Sequence, residues 1–212
     1  MASIVVNGDT SGAVTLSAPA TAGTVTVTLP STSGTMATLT TPSFATTIGV
    51  GGATPSASGA GITFPATQSA SSDANTLDDY EEGTWTPVLG GATSESGQSY
   101  AVNSGSYTKI GNQVFCTMRI SLTTAGTITG NAVIKGLPFQ TSTSSTDYAG
   151  ASIAYIDTVG TAVVSVGFLA QQNRTSLDVY YRTAASTTQT VAGNTFWANG
   201  SSLFASIVYH ST

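Results

Sequence analysis

The sequence predicts an all-β fold in two parts, a short fibrous β stem followed by a β-sandwich or jelly-roll-like C-terminal domain. Thr, Val and Ser are abundant, and charged residues make up only 7% of the chain; β-branched side chains suit the pleated surface of a sheet. Short apolar stretches alternate with polar residues at a period of two and are separated by Gly, Pro, Asn and Asp. No segment carries the 3.6-residue period of an amphipathic helix.

Residues 1–40 form the predicted stem, a series of short strands separated by turns. Val25, Val27 and Leu29 alternate with threonines, so one face of residues 24–29 is aliphatic and the other carries hydroxyls. The stretch AVTLSAPATAG is echoed by TVTVTLPSTSG, and a unit of this size is too small to bury its apolar side alone. We therefore expect the stems of several chains to pack together in a homotrimer. The alternative is a flexible Thr-rich tail.

Residues 41–83 form a Gly-, Ser-, Ala- and Pro-rich connector with one predicted strand, GITF before Pro65. The connector ends in the densest charge run of the chain, DDYEEG at 78–83. A calcium site is one interpretation, because hard cations bind several carboxylate oxygens. The run lacks the alternating spacing and the glycine of an EF-hand loop, so a solvated entrance to the next domain is favoured.

Residues 84–212 form the predicted head, because the aromatic residues gather there. Of the seventeen Phe, Trp and Tyr residues, fourteen lie at or after Trp85. Gly111-Asn112 is a predicted tight turn, and residues 157–161 are another. Short strands at this spacing are typical of a sandwich or jelly roll; they are predicted at 84–89, 106–110, 113–122, 127–136, 151–157, 161–170, 176–183 and 202–211.

The charge distribution argues against nucleic acid as a partner. The formal net charge is −5, and no Lys or Arg precedes Lys109, whereas binding to a phosphate backbone needs a basic patch. No apolar run approaches the roughly 20 residues of a membrane span, and the N-terminus lacks the pattern of a secretory signal. We therefore expect a protein made in the cytoplasm that does not insert into a membrane.

Residues suited to catalysis or metal binding are sparse, so no enzyme, metal site or cofactor is predicted. His210 is the only histidine and Cys116 the only cysteine, too few for a closed zinc site. No GxSxG sequence marks a serine hydrolase, and Cys116 alternates with apolar residues like a core side chain. Paired carboxylates, as in glycan hydrolysis, are the remaining enzymatic alternative; the candidates are Glu81, Glu82, Glu95, Asp147, Asp157 and Asp178.

A group of residues in the last third of the chain is a candidate contact for a surface glycan. Aromatic faces stack on sugar rings and amides hydrogen-bond sugar hydroxyls, which points to Trp197, Asn199 and Tyr181. The competing interpretation, which is favoured, places Trp197 in the core or in a contact between subunits.

Several sequence elements resemble a known family. GITFP at 61–65, DANTLDDYEEGTWTP at 73–87, GSYTKIGNQV at 105–114 (of the form GxYxKIGxxV) and GLPF at 136–139 are similar to the C-terminal domain of bacteriophage tail-fibre and minor virion proteins. Upstream, LSAPATAG and TLPSTSGT resemble the stem repeats of marine and cyanobacterial phage fibres. The resemblance covers most of residues 13–139, and no motif is recognised in 140–212.

The resemblance implies a structural protein of the virion, commonly homotrimeric and assembled in the host cytoplasm. It would be a short tail fibre or head fibre whose stem binds other proteins of the tail or capsid and whose head attaches to a host-surface glycan. Because the chain has almost no shaft, a capsid or tail decoration protein with a purely architectural role is the alternative, and a small polysaccharide depolymerase is a further one. The resemblance carries over no catalytic or ligand-binding residue.

Overall fold

The chain folds into two compact units, residues Met1–Phe44 and Ala45–Thr212, which are described separately. The computed structural model describes residues 3–7, 13–17, 47–56, 58–73, 75–184, 186 and 188–212. All regular structure in these ranges is β-strand, so the all-β prediction is confirmed. Within them there is no helix long and apolar enough to cross a membrane.

The first unit contains a two-stranded antiparallel sheet. Its strands are β1 (Ser3–Asn7) and β2 (Ala13–Ser17), with Ser3 opposite Ser17 and Asn7 opposite Ala13. The strands predicted at SIVV and AVTLS are therefore confirmed. The aliphatic face predicted for residues 24–29 lies outside the described residues.

The second unit consists of strands joined by turns and loops. Its strands are β3 (Thr47–Gly49), β4 (Gly61–Thr63), β5 (Tyr80–Trp85), β6 (Val88–Gly91), β7 (Ser94–Ser96), β8 (Ser99–Ile110), β9 (Gln113–Thr124), β10 (Thr127–Thr129), β11 (Ala132–Lys135), β12 (Ala149–Val159), β13 (Ser165–Ala170), β14 (Ser176–Arg182), β15 (Thr190–Val191) and β16 (Trp197–His210). Strands β3 and β4 form a short parallel pair, and β7 pairs with β10 in a small ribbon.

Ten of these strands form one sheet, in the order β5-β8-β9-β16-β12-β13-β14-β11-β6 with β15 beside β14. Strand β12 changes partner along its length: Ala149 and Gly150 pair with β13, and residues 151–159 pair with β16. Strands β5 and β6, at opposite ends of the path, are joined by Thr86 and Pro87 alone. Two linking residues span only roughly 10 Å, so the sheet curls into a half-barrel, and its two halves enclose the core.

Alternation along the strands separates the core from the surface. In β9, Val114, Cys116, Met118, Ile120 and Leu122 are buried, while the residues between them point outward. Cys116 is thus a core side chain, as predicted. The other half of the sheet supplies facing apolar side chains, among them Leu89, Ile134, Phe168, Leu177 and Val179.

Local backbone chemistry explains where the predicted elements differ from the observed ones. The turn at Gly111-Asn112 is confirmed, and Gly111 has a φ of 56°. The turn predicted at 157–161 is wrong, because β12 continues to Val159 through two register shifts and Thr158 absorbs a φ of 54°. The strand predicted at 84–89 is interrupted at Pro87, which has no N–H to donate to a ladder.

Candidate binding face of the head

Two of the sequence elements described above, DANTLDDYEEGTWTP and GSYTKIGNQV, meet at a buried ion pair. The Lys109 ammonium hydrogen-bonds the Asp79 carboxylate, and the two residues are only 3% and 0% exposed. The N–H of Gly111 donates to the Asp79 carbonyl at 2.9 Å. Lys109 also lies 5.4 Å from the ring centroid of Phe139, the last residue of GLPF. Both charges therefore lie inside the head, paired with each other and shielded from solvent.

Two glycine–aromatic pairs across β5 and β8 account for four more residues of these two sequence elements. In the β5–β8 register, Gly83 lies opposite Tyr107 and Trp85 lies opposite Gly105. A Cβ on Gly83 would come within 2.6 Å of the Tyr107 hydroxyl oxygen, and one on Gly105 would overlap the Trp85 indole nitrogen. The Trp85 N–H donates to the Thr117 carbonyl at 2.9 Å. Each ring therefore covers a glycine of the neighbouring strand. At Gly105 a Cβ would also lie 2.4 Å from the Thr117 carbonyl oxygen, so that position requires glycine.

The segment GLPF, at residues 136–139, closes the core beside Tyr107. The Phe139 ring meets Tyr107 edge-on at 5.2 Å, and the Tyr209 hydroxyl donates to the Phe139 carbonyl at 3.0 Å. Burial is the largest cause of the raised pKa of Tyr209. Gly136 has a φ of 91°, and a Cβ there would lie 2.5 Å from the Thr86 carbonyl oxygen. These sequence elements thus help to build the fold of the head.

Three of the four carboxylates of the acidic run have separate partners. Asp78 accepts hydrogen bonds from the Ser71 N–H at 2.7 Å and the Gln68 amide at 3.2 Å, and the Ser71 bond is the main cause of its lowered pKa. Asp79 pairs with Lys109, and Glu82 accepts from the hydroxyl of Tyr80. In the described ranges, no group of three or more His, Cys, Asp or Glu residues is arranged to hold a metal. The calcium interpretation is therefore not supported.

The candidate site is the side of the sheet that points away from the core. We define the outer face as the outward side chains of β5, β8, β9, β16 and β12. Cross-strand register arranges them in rows. One row consists of hydroxyls, and the next carries a cation and two aromatic rings. In strand order, these rows are Ser106, Thr117, Ser206 and Ser152, and then Ser104, Arg119, Phe204 and Tyr155.

The second row forms an exposed aromatic platform with a cation at one end. The Arg119 guanidinium carbon lies 5.2 Å from the ring centroid of Phe204, and that ring lies 5.3 Å from the ring of Tyr155. Phe204 is 37% exposed and Tyr155 45% exposed. The Tyr155 hydroxyl donates to Asp157 at 3.1 Å, and this bond is the main cause of the raised pKa of Tyr155. The contacts orient both rings without covering them.

Two depressions open on the outer face. The larger has a volume of about 430 Å³, and its lining includes Arg119, Thr117, Ser104, Ser106 and Thr84. No carboxylate lines it.

The smaller depression, of about 180 Å³, lies beside the end of β16. Its lining includes Tyr148, Val208, His210 and Asp147, and His210 Nδ1 is 3.6 Å from Asp147 Oδ1. Both depressions offer hydrogen-bonding groups beside apolar surface.

Of the three residues predicted to contact a glycan, one is buried, one is half-buried and one is exposed. Trp197 is only 4% exposed and meets Phe196 edge-on at 4.8 Å, in agreement with the favoured core interpretation. Tyr181 is half-buried, 5.7 Å from the same Phe196 ring. Asn199 is exposed, but its side-chain oxygen accepts the Ala125 N–H at 2.8 Å. The indole face of Trp197 is therefore not available to a ligand of this chain.

Other candidate carboxylates also have separate partners. Glu95 pairs with Lys135 at 2.5 Å, and Asp178 accepts from Gln171 and lies 3.8 Å from Arg174. Asp157 accepts from Tyr155, and Asp147 is beside His210.

The aromatic platform was missed from the sequence because its residues come from three separate strands. The available signal is the alternation in β16, which puts Phe204 on the side opposite the core residues Leu203 and Ala205. The alternation indicates that Phe204 is on the surface but does not indicate which residues lie beside it.

No protein-family model matches the chain, and a search of curated proteins finds no match. Among solved structures, the chain is similar to the Dettilon tailspike protein (gp208), with a TM-score of 0.45 and 16% sequence identity. The similarity covers 62% of this chain and 24% of the tailspike chain, so it spans about a quarter of that protein.

Proposed function

We propose that the protein is a structural component of a bacteriophage virion, a short tail fibre or head fibre whose head attaches to a glycan of the host surface. The sequence elements at 61–65, 73–87, 105–114 and 136–139, together with the stem repeats, support the virion assignment. The observation that carries the attachment role is the aromatic platform of the outer face, with hydroxyl-bearing side chains in the neighbouring row.

The chemistry of this face suits a sugar. The C–H faces of a sugar ring pack on exposed aromatic rings, and its hydroxyls exchange hydrogen bonds with Ser and Thr. Single exposed apolar residues are ordinary on protein surfaces, but Phe204 and Tyr155 are adjacent on the same face, with ring planes 34° apart. A shallow site of this kind binds weakly by itself, and several heads on one stem would strengthen attachment through avidity.

Homotrimerisation is part of the proposal, and its support comes from the stem sequence, whose units are too small to fold alone. Light scattering of the full chain at micromolar concentration should give the mass of three chains. Removal of residues 1–40 should lower that mass. A monomeric full chain would refute the trimer.

We also propose that the protein has no catalytic activity, because most of the candidate carboxylates already have separate partners. Replacing Asp157 and Asp178 with Asn should leave any polysaccharide-degrading activity of the preparation unchanged. Loss of such an activity in the double variant would support a depolymerase instead.

A binding experiment tests the attachment role. The full chain is applied to host cells and to an array of bacterial polysaccharides, together with a Phe204→Ser/Tyr155→Ser double variant. The control is Val164→Ser, which also removes a large exposed apolar side chain but lies in the link before β13. We expect the double variant to lose binding by about tenfold or more and the control to bind normally.

One outcome would contradict the attachment role, and another would contradict its location on the aromatic platform. If the unchanged protein binds neither cells nor sugars and does not compete with phage adsorption, the architectural role of a capsid or tail decoration protein replaces it. Immunogold labelling of virions then distinguishes capsid from tail. If the protein binds sugars but both variants bind normally, the site lies elsewhere on the molecule.

A further inference from the structure

We propose that Arg119 binds the anionic group of an acidic sugar in the larger depression of the outer face. This inference rests on the proposed attachment role and specifies its ligand class, an acidic polysaccharide. It is carried by the position of one cation among uncharged hydroxyls, beside the exposed aromatic platform.

The first step is the distribution of positive charge. The chain has five Lys and Arg residues. Lys109, Lys135 and Arg174 lie within ion-pair distance of Asp79, Glu95 and Asp178, respectively. Among the described residues, Arg119 and Arg182 form no ion pair. A fold that pairs most of its cations internally thus leaves one exposed in the middle of its outer face.

The second step is the orientation of Arg119. Its guanidinium lies over the Phe204 ring at 5.2 Å, so the aromatic platform holds the group in place. A guanidinium stacked on a ring keeps its in-plane N–H donors available, and these match the two oxygens of a carboxylate. The stacking therefore reduces the freedom lost on binding without using the donors.

The third step is the surroundings of that guanidinium. Thr84, Ser104, Ser106 and Thr117 contribute hydroxyls to the same depression, and the Ser106 and Thr117 hydroxyls hydrogen-bond each other at 2.8 Å. With no carboxylate in the lining, an anion entering there meets a cation and hydroxyl donors. An acidic sugar residue, with one anionic group and several hydroxyls, complements this lining.

The test measures binding of the full chain to three oligosaccharide probes by calorimetry. The probes are an oligogalacturonate, the same oligomer with its carboxylates methyl-esterified, and a dextran sulfate oligomer. We expect the two anionic probes to bind more tightly than the ester, because the ester removes the charge and keeps the sugar. The comparison of carboxylate with sulfate identifies which anion the site prefers.

Variants then assign the effect to Arg119. We expect Arg119→Gln to weaken binding of the preferred anionic probe by about 10- to 100-fold, the usual range for a hydrogen bond to a charged group. Binding of the ester should be unchanged. Arg119→Lys should retain part of the affinity, because it keeps the charge and loses the planar donors. The matched control is Arg182→Gln, which removes the other unpaired arginine, at the end of β14; it should bind like the unchanged protein.

The outcomes separate this inference from the attachment role. If the ester binds as tightly as the acid, or if Arg119→Gln weakens both equally, the ligand is a neutral glycan and only this inference fails. If none of the oligosaccharide probes binds and the protein also fails to bind host cells, the attachment role itself fails. If Arg119→Gln lowers the mass in light scattering without affecting sugar binding, Arg119 pairs with a carboxylate of another subunit, and the inference is overturned.

Discussion

Replacing Lys109 with methionine should destabilise the head strongly, because it leaves the Asp79 carboxylate buried without its cation. Asp79 is fully buried, and its Oδ1 atom has no hydrogen-bond partner. The Lys109 ammonium is therefore the main compensation for burying this charge. Methionine is close to lysine in length and preserves the packing near Phe139, so the change removes the charge with little loss of volume.

The expected loss follows from the burial of the pair. Removing one member of a buried ion pair costs about 3–5 kcal/mol in the free energy of unfolding. In a domain of about 150–250 residues, each kcal/mol lowers Tm by about 2–4 °C, so the variant should melt roughly 6–20 °C lower. The control is Lys135→Met, whose partner Glu95 is 2.5 Å away but whose pair is 32% and 24% exposed. Partly exposed pairs contribute about 0–1 kcal/mol.

Denaturant unfolding followed by tryptophan fluorescence measures both variants, since Trp85 and Trp197 are both buried in the head. A second variant, Asp79→Asn combined with Lys109→Met, removes both charges and should recover a large part of the loss. The reasoning is refuted if Lys109→Met costs no more than Lys135→Met, or if the combined variant is no more stable than the single one.

Two further predictions concern the core of the head. Gly105→Ala would place a Cβ against the Trp85 indole and the Thr117 carbonyl, and should cost about 1–3 kcal/mol in thermal unfolding; Gly193→Ala, with nothing within 4 Å, is the neutral control. The Cys116 thiol should react with a thiol reagent only after unfolding, since burial raises its pKa from 9.0 to about 12. The Cys116 thiol ionises at a lower pH in the unfolded chain than in the folded one. The free energy of unfolding should therefore decrease as the pH rises from about 9 to about 12. Cys116→Ala should lessen that fall, and an equal fall in the variant would assign it to other groups.

The core of the head could be predicted from the sequence where a single strand decides burial. In β9, the alternation of Val114, Cys116 and Met118 with polar residues indicates which side is buried, and the structure agrees. This works because successive side chains of a strand point to opposite faces whatever strand lies beside it. The turn at Gly111-Asn112 was predictable for the same local reason.

The aromatic platform could not be predicted, because it depends on which strands become neighbours. Arg119, Phe204 and Tyr155 lie on β9, β16 and β12, and only the register of these strands brings them together. That register includes shifts in β12, which no local pattern marks. Trp197 shows the converse: an aromatic residue next to Asn and Gly resembles an exposed loop tip in the sequence, yet it lies in the core.

Periodicity and composition are enough to predict the all-β class, the concentration of the core after Trp85 and the burial of Cys116, because these local properties hold for any arrangement of the strands. The partner of Lys109 and the neighbours of Arg119 are visible in the folded chain alone. The partner of Lys109 and the neighbours of Arg119 both depend on the pairing of strands that are distant in sequence. The two residues differ in burial. Lys109 points inward, where an unpaired charge would be prohibitively costly, and meets Asp79. Arg119 points outward on the next strand, where water allows a cation to remain unpaired and available.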